Sequence, residues 1–166
     1  MIKQFIDFSI NNVKNNDDLY TRIINIDPGR QSGKTTALQQ VVIERVLRNE
    51  TTVIIQNNAN YRDIFIREIK RRLREMFSVS EVQYIMTRLI IVYGGGLREF
   101  CNPSSPTYRG VSRHNALIVF EEPMTYNKET LLRAFSAGFY PKSKSPSACR
   151  FLSFTGNPII LILGCQ

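Results

Sequence analysis

An α/β fold with a mostly parallel sheet and helices on both faces is the architecture this sequence predicts. Three observations predict it. β-Branched apolar runs recur at Thr21 to Ile26, Thr51 to Gln56 and Ala116 to Phe120. Between them, apolar residues return at helical spacing over longer stretches. Such alternation favours parallel strands joined by crossover helices, which cover the sheet on both sides. Lastly, Gly29, Glu121-Glu122 and the turn at Thr155 each follow an apolar run. Ligands in parallel sheets bind outside the carboxyl ends of the strands, so these motifs are expected to converge on one edge.

Taken in order, Met1 to Phe8 is a short amphipathic opening, and Asn11 to Asp18 reads as a polar loop or frayed helix end. The first strand follows, then a glycine loop. A helix then runs to about Asn49, with Ala37, Leu38, Val41, Val42, Val46 and Leu47 on one face. Thr51 to Gln56 is the second strand, and Asn57-Asn58 is a turn or helix N-cap. Tyr61 to Phe77 has helical spacing through Tyr61, Ile64, Phe65, Ile69, Leu73 and Met76. Its other face carries Arg67, Lys70, Arg71 and Arg74, either a solvated stripe or a surface for DNA phosphates. Arg88 to Tyr93 and Leu97 to Cys101 flank Gly94-Gly95-Gly96 like the arms of a hairpin. After a loop over Asn102 to Pro106, the strand Ala116 to Phe120 ends in Glu121-Glu122-Pro123. A helix over Lys128 to Ala137, an exposed loop at about 140–147 and a strand over Phe151 to Thr155 close the pattern.

Composition narrows the function classes. The 166 residues suit a single domain, 1–166, with a lead-in over about 1–20. A formal net charge of +8 favours a polyanionic partner. Cys101, Cys149 and Cys165 lack metal-ligand spacing, and His114 is the only histidine, so a zinc site is not expected. That cysteine usage fits a reducing, intracellular setting. Met1 to Phe8 lacks a signal-peptide core, and no apolar run reaches the roughly 20 residues of a membrane span. No membrane partner is therefore expected; Ile159 to Leu163 is apolar but brief.

The chemistry starts at Pro28-Gly29-Arg30-Gln31-Ser32-Gly33-Lys34-Thr35-Thr36. Strand, glycine loop, Gly-Lys-Thr and helix form the context of a phosphate-binding loop, and hence of a P-loop NTPase of the RecA-like (ASCE) kind. Loop N–H groups and the positive helix end would hold phosphate. Lys34 would reach the β- and γ-phosphates of ATP, and the Thr35 hydroxyl would sit on Mg2+. Pro28 stands where the usual pattern has its first glycine, and Gly29 comes one step late. Arg30 on the crown is either a solvated loop residue or an arginine offered in cis to the γ-phosphoryl. Ala116 to Glu122 matches a second nucleotide-binding signature, an apolar strand followed by two acids. Glu121 takes the metal position, usually aspartate, and Glu122 the water-polarising one. Thr155, Gly156 and Asn157 form either a plain turn or a γ-phosphate sensor. Arg109, in Tyr108-Arg109-Gly110, is either solvent-facing or a finger reaching a neighbouring subunit.

Together these residues resemble the ATPase domain of the large subunit of tailed-phage terminases. The run Arg30-Gln31-Ser32-Gly33-Lys34-Thr35-Thr36 looks like that family's deviant loop. Val53 to Leu73, the glycine-rich hairpin, Tyr108-Arg109-Gly110-Val111-Ser112, the acidic strand and Thr155-Gly156-Asn157-Pro158 follow in the family's order. The resemblance covers about Thr21 to Pro158. It implies ATP-driven translocation of double-stranded DNA into a procapsid, in the cytoplasm of an infected host cell. A homo-oligomeric ring docked on a portal, with a small terminase subunit as a further partner, is implied as well. Within that family Arg30 would act in cis, Arg109 in trans, Glu122 as catalytic glutamate and Thr155-Gly156-Asn157 as the coupling motif. Two departures stand out. Glu121 replaces aspartate, and nothing resembles the family's nuclease domain, so a truncated ATPase module is expected in which Ile159 to Cys165 fills in packing or leaves apolar surface exposed. A non-hydrolysing nucleotide- or DNA-binding remnant and a small P-loop kinase are the competing readings. The Lys142-Ser143-Lys144 loop makes a poor kinase lid.

Overall fold

The computed structural model describes residues 1–15, 20–29, 32–56, 59–93, 115–121 and 158–164. Its centre is a sheet of five parallel strands: β1 (Ile23–Ile26), β2 (Thr52–Gln56), β3 (Leu89–Tyr93), β4 (Leu117–Glu121) and β5 (Ile159–Leu163). Their order across the sheet is β1-β5-β4-β2-β3. Among the described residues four helices accompany them: α1 (Ile2–Val13), α2 (Lys34–Leu47), α3 (Ala59–Arg74) and α4 (Val79–Met86). Within the described residues no helix is long and apolar enough to cross a membrane.

Continuous apolar runs make buried strands in parallel sheets, because both faces are covered. Every residue of β2, β4 and β5 is buried accordingly. β1, at one edge, leaves Asn25 exposed. Register assigns the faces. Ile24 pairs with Leu161, Val119 with Leu161, and Ile54 with both Val119 and Ile91. Side chains alternate along a strand, so these residues share one face, and all four helices join that face in a single core cluster. The described helices therefore account for one face. The opposite face, with Val53, Ile55, Ile118, Phe120 and Ile160, is equally buried.

Local chemistry explains the helix ends. α2 stops at Asn49, whose φ of 61° is the left-handed conformation that usually falls to glycine. Glu50 N–H then bonds back to Arg45 O at 2.9 Å, satisfying a terminal carbonyl. α4 opens with a reciprocal capping box: Ser78 Oγ accepts from Glu81 N–H, and Glu81 Oε2 accepts from Ser78 N–H at 2.8 Å. α1 is joined to α2 by Lys3, which bridges Asp7 and Glu44 and has its pKa raised by those hydrogen bonds.

Several expectations change. Tyr20–Arg22 is a 3-10 turn, so the first strand starts only at Ile23. The lead-in is mostly helix, with Ile6 and Ile10 in the core. α4 is an additional helix that the sequence pattern does not announce. β3 pairs in parallel with β2, while the other arm of the expected hairpin, 97–101, lies outside the described residues, as do 128–137 and 151–155. α3 ends at Arg74, short of the expected Phe77; of the predicted stripe Phe65, Ile69 and Leu73 are buried, while Tyr61, Ile64 and, beyond the helix, Met76 are exposed. The largest change concerns Ile159–Leu163. Of the two alternatives for Ile159 to Cys165, it supplies packing over Ile159–Leu163 and does so as an inner strand, hydrogen-bonded to β1 on one side and β4 on the other.

Candidate functional site

β1 carries the chain to the carboxyl edge of the sheet, where Ile26 and Glu121 both pair with Leu163 and so stand at one level. The glycine loop starts one residue later. Asp27 Oδ1 accepts from Gly29 N–H at 3.0 Å, and Ser32 Oγ donates to Gly29 O at 2.9 Å, so the loop's own side chains shape its turn. Gly29 and Gly33 have φ of 79° and 78°. A Cβ at either would meet nothing within 4 Å. Backbone conformation, not space, therefore reserves both positions for glycine. Gly33 caps α2, and no acidic residue occupies that helix's first turn, so its amino-terminal N–H groups face the edge without a competing carboxylate of their own.

Lys34, Thr35 and Thr36 form the first turn of α2. Thr35 Oγ1 donates to Glu121 Oε1 at 3.2 Å, a contact between residues 86 positions apart. Glu121 closes β4, is only 6% exposed, and faces the helix side of the sheet in step with Leu117 and Val119. Its other oxygen, Oε2, accepts from Gln56 Nε2 at 2.6 Å. Gln56 closes the neighbouring strand β2, and the pairing Ile55↔Phe120 sets the two side chains next to each other on one face. Three elements thus hold one buried carboxylate.

The donor set suits a hard divalent cation. Two cis oxygens on an octahedral Mg2+ with bonds of about 2.1 Å lie about 3 Å apart, close to the 3.2 Å between Thr35 Oγ1 and Glu121 Oε1. Among the described residues no group of three His, Cys, Asp or Glu side chains could hold a metal. An ion here would complete its shell with waters and ligand oxygens, the usual habit of Mg2+.

The structure thus brings together Gly29, Ser32, Gly33, Lys34, Thr35 and Glu121. Arg30, Gln31, Glu122, Arg109, Thr155, Gly156 and Asn157 lie outside the described residues. Pro158, next to the last of these, sits at the amino end of β5, where its carbonyl accepts from Arg22 Nη1 at 3.1 Å. That described end of the turn stands at the edge opposite Glu121, so the expected convergence of three motifs on one edge is not what Pro158 displays. Sequence reading missed Gln56. The signal available was a lone amide closing the run Thr52–Gln56, at the same carboxyl edge as Glu121.

A cavity of about 720 Å3 lies at the amino edge, away from this site. Its lining mixes Lys14, Arg45, Arg48 and Arg88 with Asp7, Glu44 and Glu50. Arg45 is already engaged there, paired with Glu50 at 2.9 Å and donating to Asn115 O, and burial lowers its pKa. Asp7 and Glu44 are likewise engaged, both by Lys3. In comparisons with known proteins, no protein-family model, no curated protein and no solved structure matches the chain.

Proposed function

We propose that this chain is the ATP-binding and hydrolysing module of a viral motor that packages double-stranded DNA, of the terminase large-subunit kind. The observation that carries the nucleotide part is the contact of Thr35 with Glu121 beside a loop of two left-handed glycines. The packaging part rests on the order of motifs along the sequence and on the basic charge.

In this reading the loop N–H groups and Lys34 bind the β- and γ-phosphates, and Thr36 flanks them at the exposed start of α2. Thr35 and Glu121 hold Mg2+, which when bound would neutralise charge developing on the phosphate oxygens. Glu122 orients and deprotonates the attacking water. Arg30 offers positive charge in cis and Arg109 from a neighbouring subunit of the ring; with Pro158 at the opposite edge of the sheet, the coupling role that the resemblance implies for Thr155, Gly156 and Asn157 is not part of this reading. The portal, the small terminase subunit and the host cytoplasm belong to the same proposal.

Steady-state ATP hydrolysis with Mg2+, with and without double-stranded DNA, tests it. Lys34→Ala is expected to abolish nucleotide binding, and Glu122→Gln to leave ATP bound but intact. Normal turnover in Glu122→Gln would move the water-polarising role elsewhere. The presence of Glu121 where aspartate is usual favours a second reading, a nucleotide- or DNA-binding module that does not hydrolyse. Tight binding by the parent chain without turnover selects it.

A further inference from the structure

At the carboxyl edge one side chain is unexplained by phosphate binding. Gln56 is 2% exposed, although an amide is costly to bury. Its Nε2 donates to Glu121 Oε2 at 2.6 Å. Its Oε1 is buried and has no hydrogen-bond partner among the described residues. Buried amide oxygens are ordinarily satisfied, and one left open beside a metal-type carboxylate calls for a donor.

Resting on the metal reading of Thr35 and Glu121, we propose that Gln56 is a further residue of that metal site. Glutamate at 121 has one more rotatable bond than aspartate and needs fixing. Thr35 fixes one oxygen by donating to it, which leaves the hydroxyl lone pairs for an ion. Gln56 fixes the other. Its free Oε1 then accepts from a water on the ion, the partner a bound water needs where Mg2+ keeps several. Gln56 is thus a positioning residue: it makes the longer acid competent and orients the hydration shell. The glutamine at the end of β2 and the glutamate at the end of β4 are a matched pair.

The test uses Mn2+ as probe, with a non-hydrolysable ATP analogue and the whole chain. Electron paramagnetic resonance reads Mn2+ affinity in the ternary complex, and fluorescence reads analogue affinity in excess chelator. Gln56→Met keeps length and volume but removes both polar atoms. It is expected to weaken Mn2+ by about 10- to 100-fold, the usual cost of losing an outer-shell partner, with metal-free analogue affinity unchanged. In a Glu121→Asp background, where the acid no longer reaches Gln56, the same change should cost less than in the parent, because only the contact with the metal-bound water is then lost; an undiminished cost would overturn the pairing of Gln56 with Glu121. Should Gln56→Met fail to fold, Gln56→Asn retains the amide but withdraws it by one methylene, and the same weakening is expected. Parental Mn2+ affinity in the folded variant overturns the role of Gln56 while leaving the nucleotide site standing. Failure of the parent chain to bind the analogue at all overturns the nucleotide site, and this proposal with it.

Discussion

At Gly33 the geometry separates two reasons for a glycine. A methyl group added there would meet no atom within 4 Å, yet φ is 78°. Gly33→Ala should therefore cost about 1–2 kcal/mol, the left-handed penalty of a residue with Cβ, read as a lowered urea midpoint with no packing defect. A cost near zero would mean that the loop relaxes to negative φ. Thr35 offers a sharper contrast. Thr35→Val keeps the shape but withdraws the donor to a carboxylate that is 6% exposed. Losing that hydrogen bond should destabilise by about 1–3 kcal/mol even without nucleotide, because hydrogen bonds to charged groups contribute that much. Unchanged stability would show that Glu121 is held without the Thr35 hydroxyl.

Among the elements, α3 carries the charge that the DNA proposal needs, but not on every basic residue. Arg71 is engaged by Glu68 and Glu75, and Arg72 by Glu68. Arg67, Lys70 and Arg74 have no ion pair among the described residues, so they are the three able to meet phosphates. Neutralising them should reduce the slope of log affinity against log salt by about 0.9 for each phosphate they would otherwise neutralise. An unchanged slope would assign that stripe to solvent. The same helix has an acid-sensitive tie. Arg71 and Arg72 hold the Glu68 carboxyl at about 2, below its ordinary 4.5. Ionised Glu68 therefore favours the folded state, fully above about pH 4.5 and progressively less down to about pH 2. Glu68→Gln should melt lower than the parent above that window and converge with it at the acid end. The difference should shrink with salt, since the pair is at the surface.

For the whole molecule, β5 is the strand that joins β1, and the glycine loop after it, to the rest of the sheet. Leu161 is fully buried, opposite Ile24 of β1 on one side and Val119 of β4 on the other. Leu161→Ala should cost about 2–5 kcal/mol, seen in urea unfolding; a smaller loss would mean that the neighbouring strands close the gap. This strand also marks where sequence reading stops. β2, β4 and α2 are legible because unbroken β-branched runs and a glycine loop act locally. Ile159–Leu163 has the same character, but its inner place depends on pairing with residues 23–26 and 117–121, which no local pattern encodes. α4 escapes notice although Ser78 and Glu81 spell a capping box, because Val79 and Tyr84 are exposed and blur its apolar period. At the site, Lys34, Thr35 and Glu121 follow from motif spacing. Gln56 does not, since its partner is set by strand register across the sheet.

The inner position of β5 also sets a timetable. β1 is made early, yet the strand that covers its inner edge is more than a hundred residues downstream. At 5–20 residues per second, a ribosome needs on the order of ten seconds to bridge that interval. Throughout it, β1 lacks its strand partner β5, and β4, once made, waits several seconds more with one edge open. Exposed edges of apolar strands are templates for other chains. Newborn chains are therefore expected to need shielding until residues 159–163 are free to pair. Slowing translation between residues 121 and 159 should lower soluble yield, and a holdase present during synthesis should restore it.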